Sequence, residues 1–428
     1  MTSNYDLKPL TQVCEVLSGG TPKTTVPEFW NGDIPWASVK DFNIDSRWFS
    51  KTEKSISQLG LDSCSSVLLE PGDLVISARG TVGVVGQCKM RTSFNQSNYG
   101  LRAKNELSKN DYLYYALSYA KRALIGDSHG GMFDTITRDT LDRLLIPVPT
   151  LKVQEQIAEI LGSLDMKIAV NNTLSKTLED IAQTIFKSWF LDFDPVKAKM
   201  AGAKPAGMDA ATAALFPDSM EESELGFIPK GWEVRKIESL SETLLGGTPS
   251  RAKDDFWNGE IPWINSGKVN DFRITAASEY ITKLGLEKSA TKLLPKGTTV
   301  LAITGATLGQ FSRLEIDSCA NQSVVGILGS TEASNEFLYL NIKNGIQRLI
   351  SAQTGGAQQH INKEDVNAFL VVYPGEKLMK TFTDIVDCIF KEIGVVLNQS
   401  ISLAEIRDSL LPRLISGELQ LPEEMLAS

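Results

Sequence analysis

The chain has 428 residues, of which 42% are hydrophobic and 22% charged, and its net charge is −9. At about 100–200 residues per domain, this length predicts two to four domains. No run of about 18 apolar residues occurs, so no transmembrane helix is expected. The start of the chain contains Asp6 and Lys8 without an apolar core, which argues against a signal peptide.

Cysteine usage argues against a zinc site and against a secreted protein. The five cysteines are scattered, no Cys-x-x-Cys motif occurs, and the chain has only two histidines. This pattern is typical of a reducing, cytoplasmic compartment. The negative net charge argues against a nucleic-acid-binding protein, but residues 1–150 and 236–375 are close to neutral, and the acidic excess lies in the segments that follow them.

A long internal repeat organises the chain. Gly19-Gly20-Thr21-Pro22 recurs as Gly246-Gly247-Thr248-Pro249, and Phe29-Trp30-Asn31-Gly32 recurs as Phe256-Trp257-Asn258-Gly259. Ile34-Pro35-Trp36 recurs as Ile261-Pro262-Trp263, and Asn95-Gln96-Ser97 as Asn321-Gln322-Ser323. Because the offset between the copies hardly drifts, we expect one fold to be used twice.

Each repeat mixes strand and helix signals. The short apolar runs Asp73–Ser77 and Thr299–Ile303 predict strands, whereas Ser108–Leu124 and Asn335–Ile350 predict single amphipathic helices. The sequence therefore predicts an α+β class with twisted, mostly antiparallel sheets. The predicted domains are 1–150 and 231–375, separated by a long helix over 151–194 and a linker loop over 195–230, with a second long helix and tail over 376–428.

The segment after each repeat has the period of a long helix. Apolar residues step by three and four from Ile157 to Trp189 and from Phe382 to Leu414. We expect the two helices to pack on each other in antiparallel fashion, with Asn171 on the seam as a register residue. The alternative is that each helix folds back on its own domain.

Most motifs of catalytic proteins are missing. The chain has no P-loop, no adjacent prolines of the kind found in adenine methyltransferase loops, and no Glu-x-Lys pair typical of many nucleases. Gly126-Asp127-Ser128-His129-Gly130 fits the nucleophile-elbow pattern of serine hydrolases. A general base would then have to be His360 in the other repeat, so the hydrolase hypothesis is the weaker one.

These motifs together resemble the specificity subunits of type I restriction-modification systems. The resemblance also rests on Phe186–Val196, on Gly226–Val234 and on Leu410–Glu418, and it covers roughly residues 5–420. It implies two target recognition domains that each read half of a bipartite site in double-stranded DNA, and paired helices that set the gap. It implies no catalysis and no cofactor in this chain. The implied partners are two modification subunits, which use S-adenosylmethionine, and two restriction/translocase subunits, without a membrane.

The expected DNA contacts are glycine-rich turns, cations, amides and hydroxyls. Glycine turns let backbone N–H groups approach phosphates, and Arg and Gln read guanine and adenine. For the glycine turns a tight structural turn is the alternative, and for the tryptophans core support is favoured. The candidate residues of the first repeat are Gly19, Gly20, Thr21, Lys23, Trp36, Lys40, Arg79, Thr81, Asn95, Gln96, His129, Gly130 and Gly131. Those of the second are Gly246, Gly247, Thr248, Ser250, Arg251, Trp263, Lys268, Thr304, Thr307, Asn321, Gln322, Gly355, Gly356, Gln358 and Gln359.

The aromatic end of the first long helix suggests a docking surface. Phe186, Trp189, Phe190 and Phe193 exceed what a helix pair must bury, so they are predicted to bind a modification subunit. The alternative is that they pack beneath a recognition domain. A protein-interaction scaffold without DNA affinity would also explain the repeat and the acidity, but not the loops rich in Lys, Arg, Gln and Gly.

Overall fold

The structure, a computed structural model, describes residues 3–42, 47–49, 51–125, 135–351 and 360–422. Its contacts divide the chain into two compact units. The first unit comprises Met1–Asn172 and Gln399–Ser428, and the second comprises Thr173–Asn398. Both divisions fall within long helices, so each of these helices contributes one part to each unit.

The first unit combines three small sheets with short helices. Its strands are β1 (Leu7–Pro9), β2 (Cys14–Ser18), β3 (Trp30–Ala37), β4 (Trp48–Phe49), β5 (Lys54–Ile56), β6 (Leu74–Ser77), β7 (Val85–Cys88), β8 (Ser93–Phe94), β9 (Asn98–Ala103) and β10 (Leu145–Pro147). Its short helices are α1 (Leu10–Val13), α2 (Gln58–Asp62), α3 (Asn110–Ile125) and α4 (Arg138–Arg143). The sheets have the orders β2-β9-β6-β7-β4, β5-β3-β8 and β1-β10. Every pair is antiparallel except β4–β7 and β3–β8.

The second unit repeats this arrangement. The long helix α5 (Leu151–Phe190) leads to α6 (Asp194–Met200), α7 (Ala210–Ala214), β11 (Met220–Ser223), β12 (Gly226–Pro229), β13 (Glu233–Lys236), α8 (Ile237–Leu240), β14 (Glu242–Leu245), β15 (Trp257–Ile264), β16 (Glu279–Ile281) and α9 (Lys283–Glu287). There follow β17 (Thr299–Ala302), β18 (Phe311–Arg313), β19 (Cys319–Ala320), β20 (Val324–Leu328), α10 (Asn335–Ser351), α11 (Lys363–Asn367), β21 (Leu370–Tyr373) and α12 (Glu376–Ile415). The sheets are β14-β20-β17-β18, β16-β15-β19, β13-β21 and the hairpin β11-β12.

Strand register confirms that the two units share one fold. Trp30 and Ile34 of β3 both lie opposite Ile56, which makes a bulge in the strand pair. Trp257 and Ile261 of β15 both lie opposite Ile281 in the same way. The bulge explains the repeated Trp-Asn-Gly, because the asparagines that follow the two bulged tryptophans have φ angles of 59° and 61°, a left-handed conformation that asparagine tolerates better than most residues.

The predicted short elements are confirmed. The helix predicted over Ser108–Leu124 is α3, and the helix predicted over Asn335–Ile350 is α10. The two predicted strands are β6 and β17, whose residues are buried. Polar caps begin the equivalent helices α2 and α9, because Ser57 Oγ and Thr282 Oγ1 each accept a hydrogen bond from a backbone N–H three residues later.

The two long helices run antiparallel within each unit. Both have 40 residues, which at 1.5 Å per residue is about 60 Å. In the first unit, Asp165 of α5 forms an ion pair with Arg407 of α12 at 2.7 Å. In the second unit, Phe190 of α5 contacts Phe382 of α12, with ring centroids 4.8 Å apart. The start of each helix thus lies beside the end of the other, and Asn171 is buried as predicted for a seam residue.

The linker loop predicted over 195–230 is corrected by the structure. This segment contains α6, α7 and the hairpin β11–β12, and only the glycine-rich part near 201–207 lacks regular structure. Asp209 caps α7 by accepting a hydrogen bond from the N–H of Thr212 at 2.7 Å. Val196 and Phe216 are buried in the core of the second unit. Burial of their apolar surface stabilises the folded segment.

Candidate nucleic-acid interface

Four loops of the first unit lie side by side. The N–H of Gly20 donates to the carbonyl of Phe94 at 2.9 Å, and the N–H of Asn95 donates to that of Ala37 at 2.9 Å. The N–H of Ala78 donates to the carbonyl of Ser97 at 2.8 Å. Loops that are far apart in sequence therefore form one continuous surface. We call it the first loop edge; it comprises residues 19–23, 37–41, 78–81 and 95–97.

The second unit builds the same surface from equivalent loops. The N–H of Gly247 donates to the carbonyl of Ala320 at 2.8 Å, and that of Ile303 donates to Ser323 at 2.9 Å. The N–H of Asn321 donates to the carbonyl of Ile264 at 3.0 Å. We call this surface the second loop edge; it comprises residues 246–251, 264–268, 303–307 and 321–323. Within each unit, the structure brings together most of the described residues that were predicted to contact DNA.

The glycine pairs have a structural role in the turns where phosphate contacts are predicted. Gly19, Gly20, Gly246 and Gly247 are all buried. A Cβ on Gly19 would lie 2.1 Å from the carbonyl oxygen of Asn95, and a Cβ on Gly246 would lie 2.2 Å from that of Asn321. The absence of a side chain is needed because two backbones pack closely here. These close contacts favour the structural alternative for the glycine turns.

The two repeated tryptophans are also structural. Trp36 and Trp263 are buried, so they are corrected from DNA contacts to core residues. Their indole N–H groups donate to the carbonyls of Gly20 and Gly247 at 3.0 and 3.1 Å. Each ring also packs edge-on against the tryptophan of the bulge, with centroids 5.2 Å apart in both units. The tryptophans thus hold the glycine turns in place.

The asparagine and the glutamine of each repeated Asn-Gln pair have different roles. Asn95 Oδ1 accepts hydrogen bonds from Asn98 Nδ2 at 2.9 Å and from a local backbone N–H, so it shapes its own loop. Asn321 Oδ1 likewise accepts a hydrogen bond from the backbone N–H of Ser323 at 3.1 Å. Gln96 and Gln322 are exposed. The hydroxyls of Thr21 and Thr248 donate to the Oε1 atoms of these two glutamines. The amide N–H groups of the glutamines are left as donors for a ligand.

The first loop edge carries exposed cations. Lys23, Lys40 and Arg79 are exposed, as is Thr81. Arg79 precedes Gly80, whose φ of 77° makes the tight turn between β6 and β7. The backbone carbonyl of Lys23 accepts a hydrogen bond from the indole of Trp30 at 3.3 Å, which fixes the backbone and leaves the ammonium group on the surface. These side chains are placed where phosphates and base edges could reach them.

The second loop edge holds its cations against carboxylates. Arg251 donates to both carboxylate oxygens of Glu279, at 2.5 and 2.8 Å, and its guanidinium lies 3.7 Å from the ring centroid of Trp257. The hydrogen bonds from Arg251 hold the pKa of Glu279 below its usual value. Lys268 forms an ion pair with Asp271 at 2.8 Å. Ser250 is exposed, and Thr304 and Thr307 are half-buried in the turn equivalent to Arg79-Gly80-Thr81.

Several predicted residues lie outside the described residues. These are His129, Gly130 and Gly131 in the first repeat, and Gly355, Gly356, Gln358 and Gln359 in the second. Ser128 of the hydrolase hypothesis lies there too. Their predicted roles therefore remain predictions.

The aromatic docking surface predicted at the end of α5 is corrected. Phe186, Trp189, Phe190 and Phe193 are buried in the core of the second unit. They pack on Phe382 of α12 and on three aromatic residues from the rest of the second unit, namely Phe216, Trp232 and Phe337. Burial of apolar surface explains the cluster without any partner.

Sequence reasoning missed an arginine in each unit that links α5 to the sheets and short helices of that unit, which we call its recognition fold. Arg273 forms an ion pair with Glu179 at 2.5 Å and donates to the hydroxyl of Tyr339 at 2.9 Å. In the first unit, Arg47 acts through Tyr115: it donates to the Tyr115 hydroxyl at 3.2 Å, and that hydroxyl donates to Asp165 of α5 at 2.5 Å. Neither arginine lies in a repeated motif, so the motif comparison gave no signal that could have found them.

Metal-binding groups and membrane-spanning helices are both absent from the described residues. In this part of the chain, no group of three or more His, Cys, Asp and Glu side chains is placed to hold a metal ion. No helix in the same ranges is both long and apolar enough to cross a bilayer.

A family model matches most of the chain. It is described as the type I restriction modification DNA specificity domain, and it matches residues 2–180 and 229–392. The two matched ranges correspond to the two repeats, each with part of its long helix.

Individual relatives agree with this match. The chain is 26% identical to the type I restriction enzyme MjaIX specificity subunit of Methanocaldococcus jannaschii, over 98% of this chain and 94% of the relative. It is 30% identical to the HindI specificity subunit of Haemophilus influenzae, over 69% of this chain and 73% of the relative. A crystal structure of a type I S subunit from M. genitalium has the same fold, with a TM-score of 0.53, 15% identity and 96% of each chain covered.

Proposed function

This chain belongs to the family of type I restriction-modification specificity subunits, and we propose that it reads a bipartite, asymmetric site in double-stranded DNA. Each unit would read one half of the site with its loop edge. The observation that carries this proposal is a shared frame with different exposed side chains. Arg79 stands in the turn where the second unit has Thr304, and Lys40 is exposed in a loop whose counterpart carries the ion-paired Lys268.

The exposed side chains suit DNA chemistry. Arginine donates to guanine through a bidentate fork, and a glutamine amide can pair with adenine or contact a phosphate. Gln96 and Gln322 are the same residue in both units, so they serve contacts common to both half-sites. Residues that differ between the units, such as Arg79, are better placed to discriminate bases. Two different half-sites follow from two different edges.

We assign the chemistry to other subunits. The names of the relatives describe specificity subunits, which supports a chain that catalyses nothing and binds no cofactor itself. Two modification subunits would carry S-adenosylmethionine and methylate the site, and two restriction/translocase subunits would complete the complex. The buried aromatic cluster of α5 is no part of this assembly surface.

The recognition proposal predicts a bipartite, non-palindromic methylation motif. We expect cells that express this chain with its modification subunit to methylate a motif of two unlike half-sites separated by an unspecified gap. Methylome sequencing measures this directly, with cells that lack only this chain as the control. A palindromic motif, or methylation that persists without the chain, would contradict the proposal.

The long helices are proposed to set the gap between the half-sites. Seven residues inserted into α5, with seven matching residues in α12, keep the heptad seam and add about 10 Å to each helix. Since base pairs are about 3.4 Å apart, the gap should lengthen by about three base pairs, while both half-sites stay the same.

The control is a seven-residue insertion in the irregular segment 201–207, which should leave the gap unchanged. Methylome sequencing reads both outcomes. Half-sites that change while the gap stays constant would show that the helices do not act as the spacer.

A further inference from the structure

Beside the two loop edges, strand register makes two positions of opposite charge equivalent. Trp36 lies opposite Lys54 in the first unit, and Trp263 lies opposite Glu279 in the second. A cation in one unit is therefore an anion in the other. The comparison is strict because β3–β5 and β15–β16 have the same bulge and the same pairing.

Cations on the first edge and beside it remain on the surface. Lys23, Lys40, Lys54 and Arg79 are exposed, and the Lys54 ammonium lies 5.6 Å from the ring centroid of Trp30. The carboxylate of Asp41, next to Lys40, accepts hydrogen bonds from the N–H and the hydroxyl of Ser38 at 2.8 and 2.7 Å. It also accepts one from the N–H of Glu53 at 2.6 Å, so this carboxylate serves its own turn. Even with Asp41 and exposed Glu53 included, positive charge is in excess.

The second edge has no such excess in the equivalent loops. Arg251 is held by Glu279 through two hydrogen bonds, and Lys268 is held by Asp271. Thr304 stands where the first unit has Arg79. Glu28 and Asp33 have Asp255 and Glu260 as their counterparts, and the exposed neighbours Lys253 and Asp254 add one charge of each sign to the second unit.

This difference bears on how each unit would bind DNA. Each phosphate that a free lysine or arginine neutralises releases counterions and steepens the fall of affinity with salt, by about 0.9 in the logarithmic slope. A cation that keeps a carboxylate at its side releases less, because the carboxylate repels the same phosphate. Building on the proposed function, we propose that the first unit supplies most of the electrostatic phosphate binding, while the second unit binds its half-site mainly through uncharged contacts and oriented Arg251.

Charge-neutralising variants of the two edges test this division. The full chain, in complex with its modification subunit, is titrated onto a duplex that contains its methylation motif, over a range of salt concentrations. K40Q/K54Q should lower the slope of log affinity against log salt by about 1.8, for two lost contacts. R251Q/K268Q removes the same formal charge, yet it should lower the slope by less than about 0.5, whatever its effect on affinity.

Removing the two acidic partners should change the salt slope in the opposite direction. E279Q/D271N frees Arg251 and Lys268, and it should steepen the slope by up to about 0.9 for each cation. None of the six side chains exchanged in the three double variants is buried, so folding is expected to be unaffected, and circular dichroism checks this.

The outcomes separate this inference from the proposed function. Equal losses of slope from the two double variants, or an unchanged slope in E279Q/D271N, overturn the division of labour while DNA recognition stands. A wild-type complex that does not bind the duplex in a salt-dependent way overturns both.

Discussion

Replacing Glu179 by alanine should lower the free energy of unfolding of the second unit by about 3–5 kcal/mol, because the change leaves a buried guanidinium without its main counter-charge. The Glu179 side chain is 3% exposed and that of Arg273 is 0% exposed. Lys343 also forms an ion pair with Glu179, at 2.5 Å. The loss should appear as a lower urea midpoint.

The network around Glu179 explains the size of this effect. The Tyr339 hydroxyl accepts from Arg273 and donates to Glu179 at 3.0 Å, so one helix carboxylate satisfies three groups of the recognition fold. After its removal, Arg273 keeps the carboxylate of Glu315 only at 3.6 Å. A buried charge that loses its counter-charge is costly, even where water enters the space that the side chain leaves.

Two controls separate the network from an ordinary ion pair. Glu70→Ala removes the exposed partner of Arg91 and should leave the urea midpoint close to that of the wild type. The double variant Glu179→Met/Arg273→Met should be more stable than Glu179→Ala, because a buried pair can be replaced by apolar side chains at little cost. A Glu179→Ala protein with the midpoint of the wild type would show that this contact does not join α5 to the recognition fold.

Replacing Phe186 by alanine should also cost about 3–5 kcal/mol, because it leaves a cavity in the aromatic core. Phe186 is fully buried, and its ring contacts those of Phe190, Phe337 and Phe382 at centroid distances of 5.3 to 6.0 Å. These rings come from α5, α10 and α12. The loss of this ring therefore weakens the packing of α5 and α12 on the second recognition fold. The urea midpoint measures the change in stability.

The matched control is Phe227→Ala on the hairpin β11–β12. Phe227 is 68% exposed, so its removal should change stability by no more than about 0.5 kcal/mol. The same pair of variants tests the docking surface that sequence reasoning placed at the aromatic cluster. If Phe186→Ala had normal stability but did not bind the modification subunit, the aromatic cluster would be a docking surface for that subunit.

The fold was largely predictable because its signals are periodic or repeated. The heptad pattern from Ile157 to Trp189 predicts α5, and the duplicated Phe-Trp-Asn-Gly predicts two copies of one sheet arrangement. The segment 195–230 was not predictable in the same way. Its short elements depend on Val196 and Phe216 reaching a core that distant residues build.

The candidate interface was predictable only in outline. Glycine, tryptophan, lysine and glutamine recur together in the motif-rich loops, and sequence cannot separate those that pack from those that face solvent. Gly19 is buried against the backbone of Asn95, whereas Gln96, the next residue, is exposed. Repetition itself was misleading, since a frame shared by two units is preserved by packing as much as by ligand contact.

By itself the sequence determined the repeat, the two long helices and the membership of a family, because each of these is written in local spacing or in matched motifs. Only the tertiary structure decided which cations are neutralised, which aromatics are buried and which arginines hold the recognition folds to α5. Arg251 and Glu279 are 28 positions apart, and Arg273 and Glu179 are 94 apart. Coulomb energy and burial depend on distance in space, which these separations along the chain do not reveal.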